Sequence, residues 1–467
     1  MLDILLLAPS DVAAFGKIDV KKIDADLFPL GIAYIAGFCR KKGYSVDVVD
    51  LRLFGDEWEQ KLKNKIISEK PRYVGLSCVT PLIRECQTIA SYVKTIDKNI
   101  KIIVGGPHPT VLPEETAKLA EFDIIVIGEG EFTVAEILKN GDLGKIKGII
   151  YKESGKLIKT EPREINMDLD QLPWPTYDLI PINNYINPFF GKSVIIATGR
   201  GCPFKCIFCP SNLIGGGKYR LRNVKNVVDE MEFLYKKYGI KGFMIMDETF
   251  TLYPDRVVEI CDEIIKRKIK IKWACDTRVN TVSEGLLRKM KEAGFRLIKF
   301  GIESGDDEIL KIIKKGITVA LVKKAVKLAK KAGLEVHGFF IIGHPYDTEE
   351  TILKTIGLAK ELPLDFAQFS IMVPFPGTEI YNMAKQGRGI TLLSDDWNNF
   401  KKYGKPIIEL PTVSREELEK FHAIAYKQFY FRPSYIIKRF FKTKPTEYLN
   451  LFNKALALFN FMKQSKI

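Results

Sequence analysis

The 467-residue chain has no apolar run approaching the roughly 20 residues that a membrane-spanning helix needs. Its first residues, MLDILLLAP, are too short for a secretory signal and carry no basic leader, so they read as a first buried strand. Cysteine is sparse. Eight residues without paired spacing exclude a disulfide framework and point to metal-binding or buried thiols in a reducing interior, with the cytoplasm as the expected compartment. Short-period repeats and low-complexity tracts are absent as well, which excludes a solenoid. A chain of this length without those features is expected to fold as two or three ordinary domains.

Charge is not lacking. The formal net charge is +15, which favours anionic partners such as nucleic acid, phosphorylated substrates or a lipid surface, or simply a solvated lysine-rich exterior. The excess gathers at the end: from Lys427 onward nine Lys or Arg face one acid, interleaved with Phe429, Tyr430, Phe431, Tyr435, Phe440 and Phe441.

Residues 1–145 alternate short apolar runs (DILLLAP, YSVDVVD, RYVGLSC, KIIVGG, FDIIVIGEG) with amphipathic stretches such as 30–42 and 82–97. That rhythm predicts an α/β, doubly wound, Rossmann-like sheet of five parallel strands, with ligands beyond the strands' carboxyl ends. Those ends carry Ser10, Asp50, Ser77, Thr80, Gly105, Gly106, His108, Gly128, Glu129 and Gly130. Paired glycines there let backbone approach a flat, bulky ligand. Residues 146–190 hold five prolines, in EPREINMDLDQLPWPTYDLIPINNYINPFF, and read as a linker. Over 191–400 a second alternation supplies six strand candidates (SVIIATG, GFMIMDE, KIKWACDT, LIKFGIES, EVHGFFIIG, AQFSIMVP) and helical patterns including 224–238 and 318–332. Six βα units predict a partial (β/α)6 barrel with its chemistry at the carboxyl ends of the strands. Residues 401–467 read as a helical, basic tail.

The barrel's first strand runs into TGRGCPFKCIFCP, residues 198–210, in which Cys202, Cys206 and Cys209 are followed by no nearby fourth Cys or His. Structural zinc and ordinary electron-transfer clusters take four protein ligands. Three thiolates on a four-iron cluster leave one iron open to chelate a small molecule. By itself the spacing also fits a zinc site.

The stretch CPFKCIFC, with Phe208 before its last cysteine, resembles the radical S-adenosylmethionine (SAM) superfamily. The resemblance implies a [4Fe–4S] cluster on the three cysteines, SAM on the open iron, and reductive cleavage of SAM to a 5'-deoxyadenosyl radical. Further segments follow in that family's order. FMIMDETFT (243–251) would place Asp247 and Glu248 near the SAM amino group; FGIESG (300–305) would put Glu303 and Ser304 at the ribose or methionyl part; GFFIIGHP (338–345) would set Gly343 beside the adenine; and VPFPGTEIY (373–381) would form the sixth strand end.

With the doubly wound domain in front, the chain resembles the B12-binding radical SAM proteins nearly end to end, through FPLGIAYIAGFCRKKGYSVDVVD, VGLSCVT, GGPHPTVLPEE, IVIGEGE, LPWPTYDLIP and FYFRPSYIIKRF. This implies cobalamin bound between the domains, near Ser77, Thr80, Gly105, Gly106, His108, Gly128 and Glu129. It also implies methylation of an unactivated carbon of a small-molecule or lipid-like substrate, and an external electron donor such as flavodoxin or ferredoxin. One departure stands out. None of His108, His337, His344 or His422 has Asp two residues before it, so the Asp-x-His-x-x-Gly signature of an axial histidine is missing and no imidazole is expected under the cobalt. Two alternatives are a radical SAM enzyme without bound cobalamin, catalysing cyclisation or rearrangement, and a methylthiolating enzyme acting on RNA. The second needs another cluster in the first domain, whereas Cys39, Cys78 and Cys86 read as scattered core thiols, so nucleic acid is not the expected partner. In the tail, SYIIKRFF and YLNLFNKALALFNFM set apolar residues along helical faces edged by lysine, which fits either an amphipathic cap on the barrel or peripheral contact with an anionic membrane.

Overall fold

The structure, a computed structural model, describes residues 1–10, 27–139, 141–187, 189–401 and 404–442. Five parallel strands open it: β1 (Ile4–Ala8), β2 (Val46–Asp50), β3 (Tyr73–Ser77), β4 (Lys101–Gly105) and β5 (Ile124–Val126), in spatial order β2-β1-β3-β4-β5. β1 is buried along its whole length, as a central parallel strand covered on both faces must be. Strand order reverses beside β1, and the crevice at such a point is where open α/β sheets bind ligands.

The sheet does not stop at five strands. β6 (Ile149–Glu153) and β7 (Lys156–Lys159), placed in the linker by the sequence reading, add an antiparallel hairpin against β5. Its two-residue turn is Ser154-Gly155, at φ 50° and 78°, the positive pair that a tight hairpin turn requires. The proline-rich stretch that follows is a docked strap. Tyr177, Ile180, Ile182 and Tyr185 are buried in it. Thr176 N–H donates to Ala33 O at 3.1 Å in the first domain, and the Tyr177 hydroxyl donates to Glu230 at 2.6 Å in the second. One apolar core therefore runs through both domains.

The second sheet begins with β8 (Ile186–Asn187), antiparallel to β9 (Gly191–Ile196). A two-stranded pair, β10 (Gly199–Arg200) with β11 (Arg220–Leu221), frames the cysteine loop. Then come β12 (Gly242–Ile245), β13 (Lys272–Thr277), β14 (Phe295–Glu303), β15 (Glu335–Ile342) and β16 (Phe366–Ile371), which together with β9 make six parallel strands curled into a half-barrel. Amphipathic helices cover its outside. The Val224–Tyr238 helix, for example, starts where the Asn223 side chain accepts from Lys225 N–H and stops at Gly239, φ 66°.

A half-barrel has two edges, and one of them here is β16. The Arg415–Tyr430 helix lies along it and presents His422, Tyr426 and Tyr430 at four-residue spacing. Tyr430 Oη accepts from Ala367 N–H at 3.1 Å and donates to Ala367 O at 2.7 Å, while Tyr426 does the same with Phe369 at 3.3 and 3.1 Å. Phenol groups thus satisfy backbone groups that an uncovered edge would expose. This part of the basic tail is integral to the barrel, and Phe429 within it is fully buried. The Pro433–Lys442 helix follows, anchored by Tyr435 Oη on Asp365 O at 2.9 Å and by Arg439 over the Phe366 ring at 4.5 Å. Its other face exposes Ile436, Ile437, Phe440 and Phe441. YLNLFNKALALFNFM lies outside the described residues. Between barrel and tail, β17 (Thr391–Leu392) pairs with β18 (Ile408–Glu409), and Trp397 between them reaches back to both cores. No described helix is long and apolar enough to cross a membrane.

Candidate functional site

The cysteine loop leaves the carboxyl end of β9 and is pinned from several sides. Gly201 sits at φ 90°, and a Cβ there would lie 2.2 Å from Lys218 O, so only glycine fits this turn. Asn212 Nδ2 donates to Cys202 O and Phe204 O at 3.3 and 3.4 Å, Ile207 N–H donates to Ile313 O at 3.2 Å, and Ile207 O accepts from Ile380 N–H at 3.1 Å. Cys202, Cys206 and Cys209 are partly exposed in the barrel mouth, with Phe208 among them. Among the described residues no three Cys, His, Asp or Glu side chains converge on a single-ion site. Thiolates that each bind a different iron of a cluster have no need to converge, so the loop is compatible with a cluster.

The strand ends nearby carry the acidic residues, but not all face the mouth. Asp247 is buried and fully engaged: it accepts from Thr198 N–H at 2.7 Å and from the hydroxyls of Thr198 and Tyr219 at 2.5 Å each. Burial raises its pKa despite those bonds. It therefore braces the strand leading into the cysteine loop. Glu248 beside it is exposed to solvent. Glu303 follows an irregularity in the β14–β15 register, stands at φ 69°, and accepts from Lys315 Nζ at 2.7 Å. A non-glycine residue held in the left-handed region marks a place where the surroundings over-determine the backbone. Ser304 is buried with its hydroxyl 3.3 Å from Thr355 Oγ1 and accepting from Asp306 N–H at 3.2 Å, and Asp306 in turn caps the Asp307–Ile312 helix. Gly343, φ 83°, backs onto Ile408 and Leu418 rather than open space. Its neighbour His344 is fully buried, with its ring 6.0 Å from that of Phe208. Burial pulls its pKa down to about 3, so it is a neutral ring. A neutral, buried imidazole beside the cluster loop suits a polar ligand such as SAM.

A cavity of about 260 Å³ lies between the domains. Its first-domain wall includes Ser77, Gly105, Gly106, Gly128 and Glu129 over an apolar floor of Leu6, Ile103 and Val126; Ala197 and Arg200 close it from the barrel side. At Gly106, φ 105°, a Cβ would lie 2.8 Å from Cys78 O. The flat glycine backbone and apolar floor suit the face of a macrocycle, although the volume, just below the ~300–1,000 Å³ of drug-sized sites, seats only part of a corrin. Thr80 and His108, placed with these residues by the sequence reading, do not line the cavity. They pair with each other, His108 Nδ1 to Thr80 Oγ1 at 3.2 Å, and the His108 ring meets Trp397 edge-on at 5.7 Å. None of the four histidines reaches the cavity.

Glu129 does line it but is claimed from the barrel. Arg220 grips both its oxygens at 2.8 Å, and Arg200 bridges Glu129 at 3.2 Å and Glu131 at 2.6 Å while its guanidinium lies over the Tyr34 ring at 4.8 Å. Burial opposes ionisation of Glu129, yet the two guanidiniums more than offset it and hold the carboxyl below its usual range. The sequence reading missed Arg200, Arg220, Arg278, Lys315 and His344. Arg200, two residues before Cys202, and His344, inside GFFIIGHP, were the ones whose positions gave a signal.

Three cysteines at the mouth of a half-barrel, two residues from the wall of a glycine-lined cavity in a doubly wound domain, define a two-domain radical enzyme, and comparison with known proteins agrees. Residues 196–359 match the radical SAM superfamily and residues 16–138 the B12 binding domain. The chain is 36% identical over 447 residues, 95% of each chain, to an uncharacterized methyltransferase of Pyrococcus horikoshii. It is 29% identical over 430 residues, 89% of this chain and 76% of the relative, to the anaerobic magnesium-protoporphyrin IX monomethyl ester cyclase of Rubrivivax gelatinosus. Its fold matches that of the cobalamin-dependent SAM radical enzyme OxsB with a TM-score of 0.75 at 17% identity, over 100% of this chain and 72% of that one. The chain belongs to the cobalamin-binding radical SAM family, whose cofactors are a [4Fe–4S] cluster, SAM and cobalamin.

Proposed function

We propose that this chain is a cobalamin-dependent radical SAM methyltransferase that methylates an unactivated carbon of a small molecule. The carrying observation is the shared strand end: Ala197 and Arg200 wall the interdomain cavity, and Cys202 follows within the same turn. A cofactor in the cavity and a cluster on the cysteines would then work on one substrate between them. When bound, the cluster and SAM supply the radical and cobalamin carries the methyl group. Cys202, Cys206 and Cys209 would hold the cluster, with Phe208, Glu248, Glu303 and His344 about the SAM. Ser77, Gly105, Gly106 and Gly128 would carry the corrin, in a cavity that no histidine lines.

Electrons would come from a separate flavodoxin or ferredoxin, since the remaining cysteines, Cys39, Cys78, Cys86, Cys261 and Cys275, are all buried and none forms a second site among the described residues. That burial also disfavours the methylthiolating reading. The exposed apolar face of the Pro433–Lys442 helix would give peripheral contact with an anionic membrane. The cyclase relative supports a second reading, radical cyclisation without methyl transfer.

Anaerobic reconstitution with iron, sulfide, hydroxocobalamin and methyl-deuterated SAM, supplied with extract of a strain lacking the gene, separates the two. Deuterated methyl in a product supports methyl transfer. 5'-Deoxyadenosine with no labelled product, or failure to take up cobalamin, supports the second reading.

A further inference from the structure

We infer that Arg278 sets the reduction potential of the cluster by placing against the Cys206 sulfur a positive charge that no carboxylate pairs with; the inference rests on the cluster reading above. Arg278 is the first residue beyond β13 and is 5% exposed. Nη1 donates to Cys206 Sγ at 3.4 Å, Nε donates to Asn280 Oδ1 at 3.3 Å, and Nη2 donates to Lys315 O. The guanidinium plane lies over the Phe204 ring, 3.8 Å from its centre. Each guanidinium nitrogen thus already meets a protein acceptor, so the group is fixed in place and not waiting for a substrate anion.

The charge balance around it is uneven. The groups that Arg278 meets are a thiol, an amide and a carbonyl, none of them a carboxylate. Lys315, the other buried cation at this wall, is neutralised by Glu303 at 2.7 Å. What remains beside Cys206 is one positive charge in a water-poor setting, where charges interact far more strongly than in solvent. Reduction adds one electron to the cluster from an external one-electron donor, with no proton and no bond change, and so makes the cluster more negative. A fixed cation hydrogen-bonded to a ligand sulfur favours that more negative state. Stacking on Phe204, two residues after Cys202, ties the same charge to the loop that carries the ligands. Arginine suits this role better than lysine, which carries the charge but has neither the planar face nor the fork to reach three acceptors at once.

The test is an EPR-monitored redox titration of the full-length protein, reconstituted anaerobically with iron and sulfide, for wild type, Arg278→Gln and Arg278→Lys. The expected result is full iron in Arg278→Gln with a midpoint lowered by at least a tenfold change in the one-electron equilibrium, 59 mV. Arg278→Lys, which restores the charge, should recover part of that shift. An unmoved midpoint in iron-replete Arg278→Gln overturns the inference. Iron loss from both variants also overturns it, by making Arg278 a strut of the loop. Wild-type protein that takes up no [4Fe–4S] cluster removes the functional reading itself, a result that the variants cannot mimic.

Discussion

Replacing Glu129 with Gln deletes one charge from the clasp between the domains and leaves the shape of the side chain almost unchanged. Arg220, whose side chain is 1% exposed, then loses its counter-charge and one of its two carboxylate acceptors, and keeps the amide oxygen and the Asn166 carbonyl at 2.7 Å. Arg200 retains Glu131. Removing one member of a fully buried pair costs about 3–5 kcal/mol because the surviving charge has neither water nor counter-ion. The Glu129 side chain is 22% exposed, so water can partly compensate and a loss of about 2–3 kcal/mol is expected. Urea unfolding followed by tryptophan fluorescence is a suitable assay, since Trp58 reports on the first domain and Trp273 on the barrel. The loss should appear as a lower midpoint for separation of the domains. A double-mutant cycle with Arg220→Met isolates the pair term, because both singles break the same contact and the double should cost much less than their sum. An Arg220–Glu129 coupling below about 0.5 kcal/mol, the scale of an ordinary surface substitution, would refute the reasoning.

Tyr430→Phe should destabilise the barrel by about 1–3 kcal/mol, the cost of leaving a buried backbone group unpaired, with no change in cluster content; urea midpoints of iron-replete protein check this. Burial pulls the pKa of His108 down to about 4 and also lowers that of His422, so both stay neutral when folded and take up protons on unfolding. Their contribution is complete above the unfolded value near 6.5 and is lost as pH falls, at about 1.4 kcal/mol per pH unit for each. His108→Ala should flatten that slope in urea titrations between pH 6.5 and 4.5, and leave the base-off absorption of bound cobalamin unchanged. Full-length protein should co-sediment with anionic vesicles and lose that binding on Ile437→Glu plus Phe441→Glu; equal binding by the variant would rule out the Pro433–Lys442 helix as the contact. Truncation at Arg415 is not a usable control, because it strips Tyr426 and Tyr430 from the β16 edge.

The strands were legible in the sequence because each is a short run of β-branched and other apolar residues ending in glycine or a small polar residue, as at KIIVGG and FDIIVIGEG. The cysteine loop was legible because its ligands are close together in the chain. The β6–β7 hairpin went unread because its Ser-Gly turn directly precedes a proline-rich stretch and merged with it. Asp247, Ser304, Gly343, Thr80 and His108 were correctly placed at strand ends, but a strand end does not fix where the next side chain points. Asp247 turns back to Thr198 and Tyr219, and His108 turns to Thr80 and Trp397. The Arg278–Cys206 contact joins residues 72 apart and the Arg200–Glu131 bridge residues 69 apart. Pairings of that kind depend on which strand ends and which domains come together, and no local pattern carries them.

The central claim is that Cys202, Cys206 and Cys209 together make the site at which SAM is cleaved. Protein reconstituted anaerobically with iron and sulfide and reduced with dithionite should convert SAM to 5'-deoxyadenosine, measured by mass spectrometry. The variant with all three cysteines replaced by Ala should form none above the protein-free background. 5'-Deoxyadenosine from the triple variant at the wild-type rate would contradict the account.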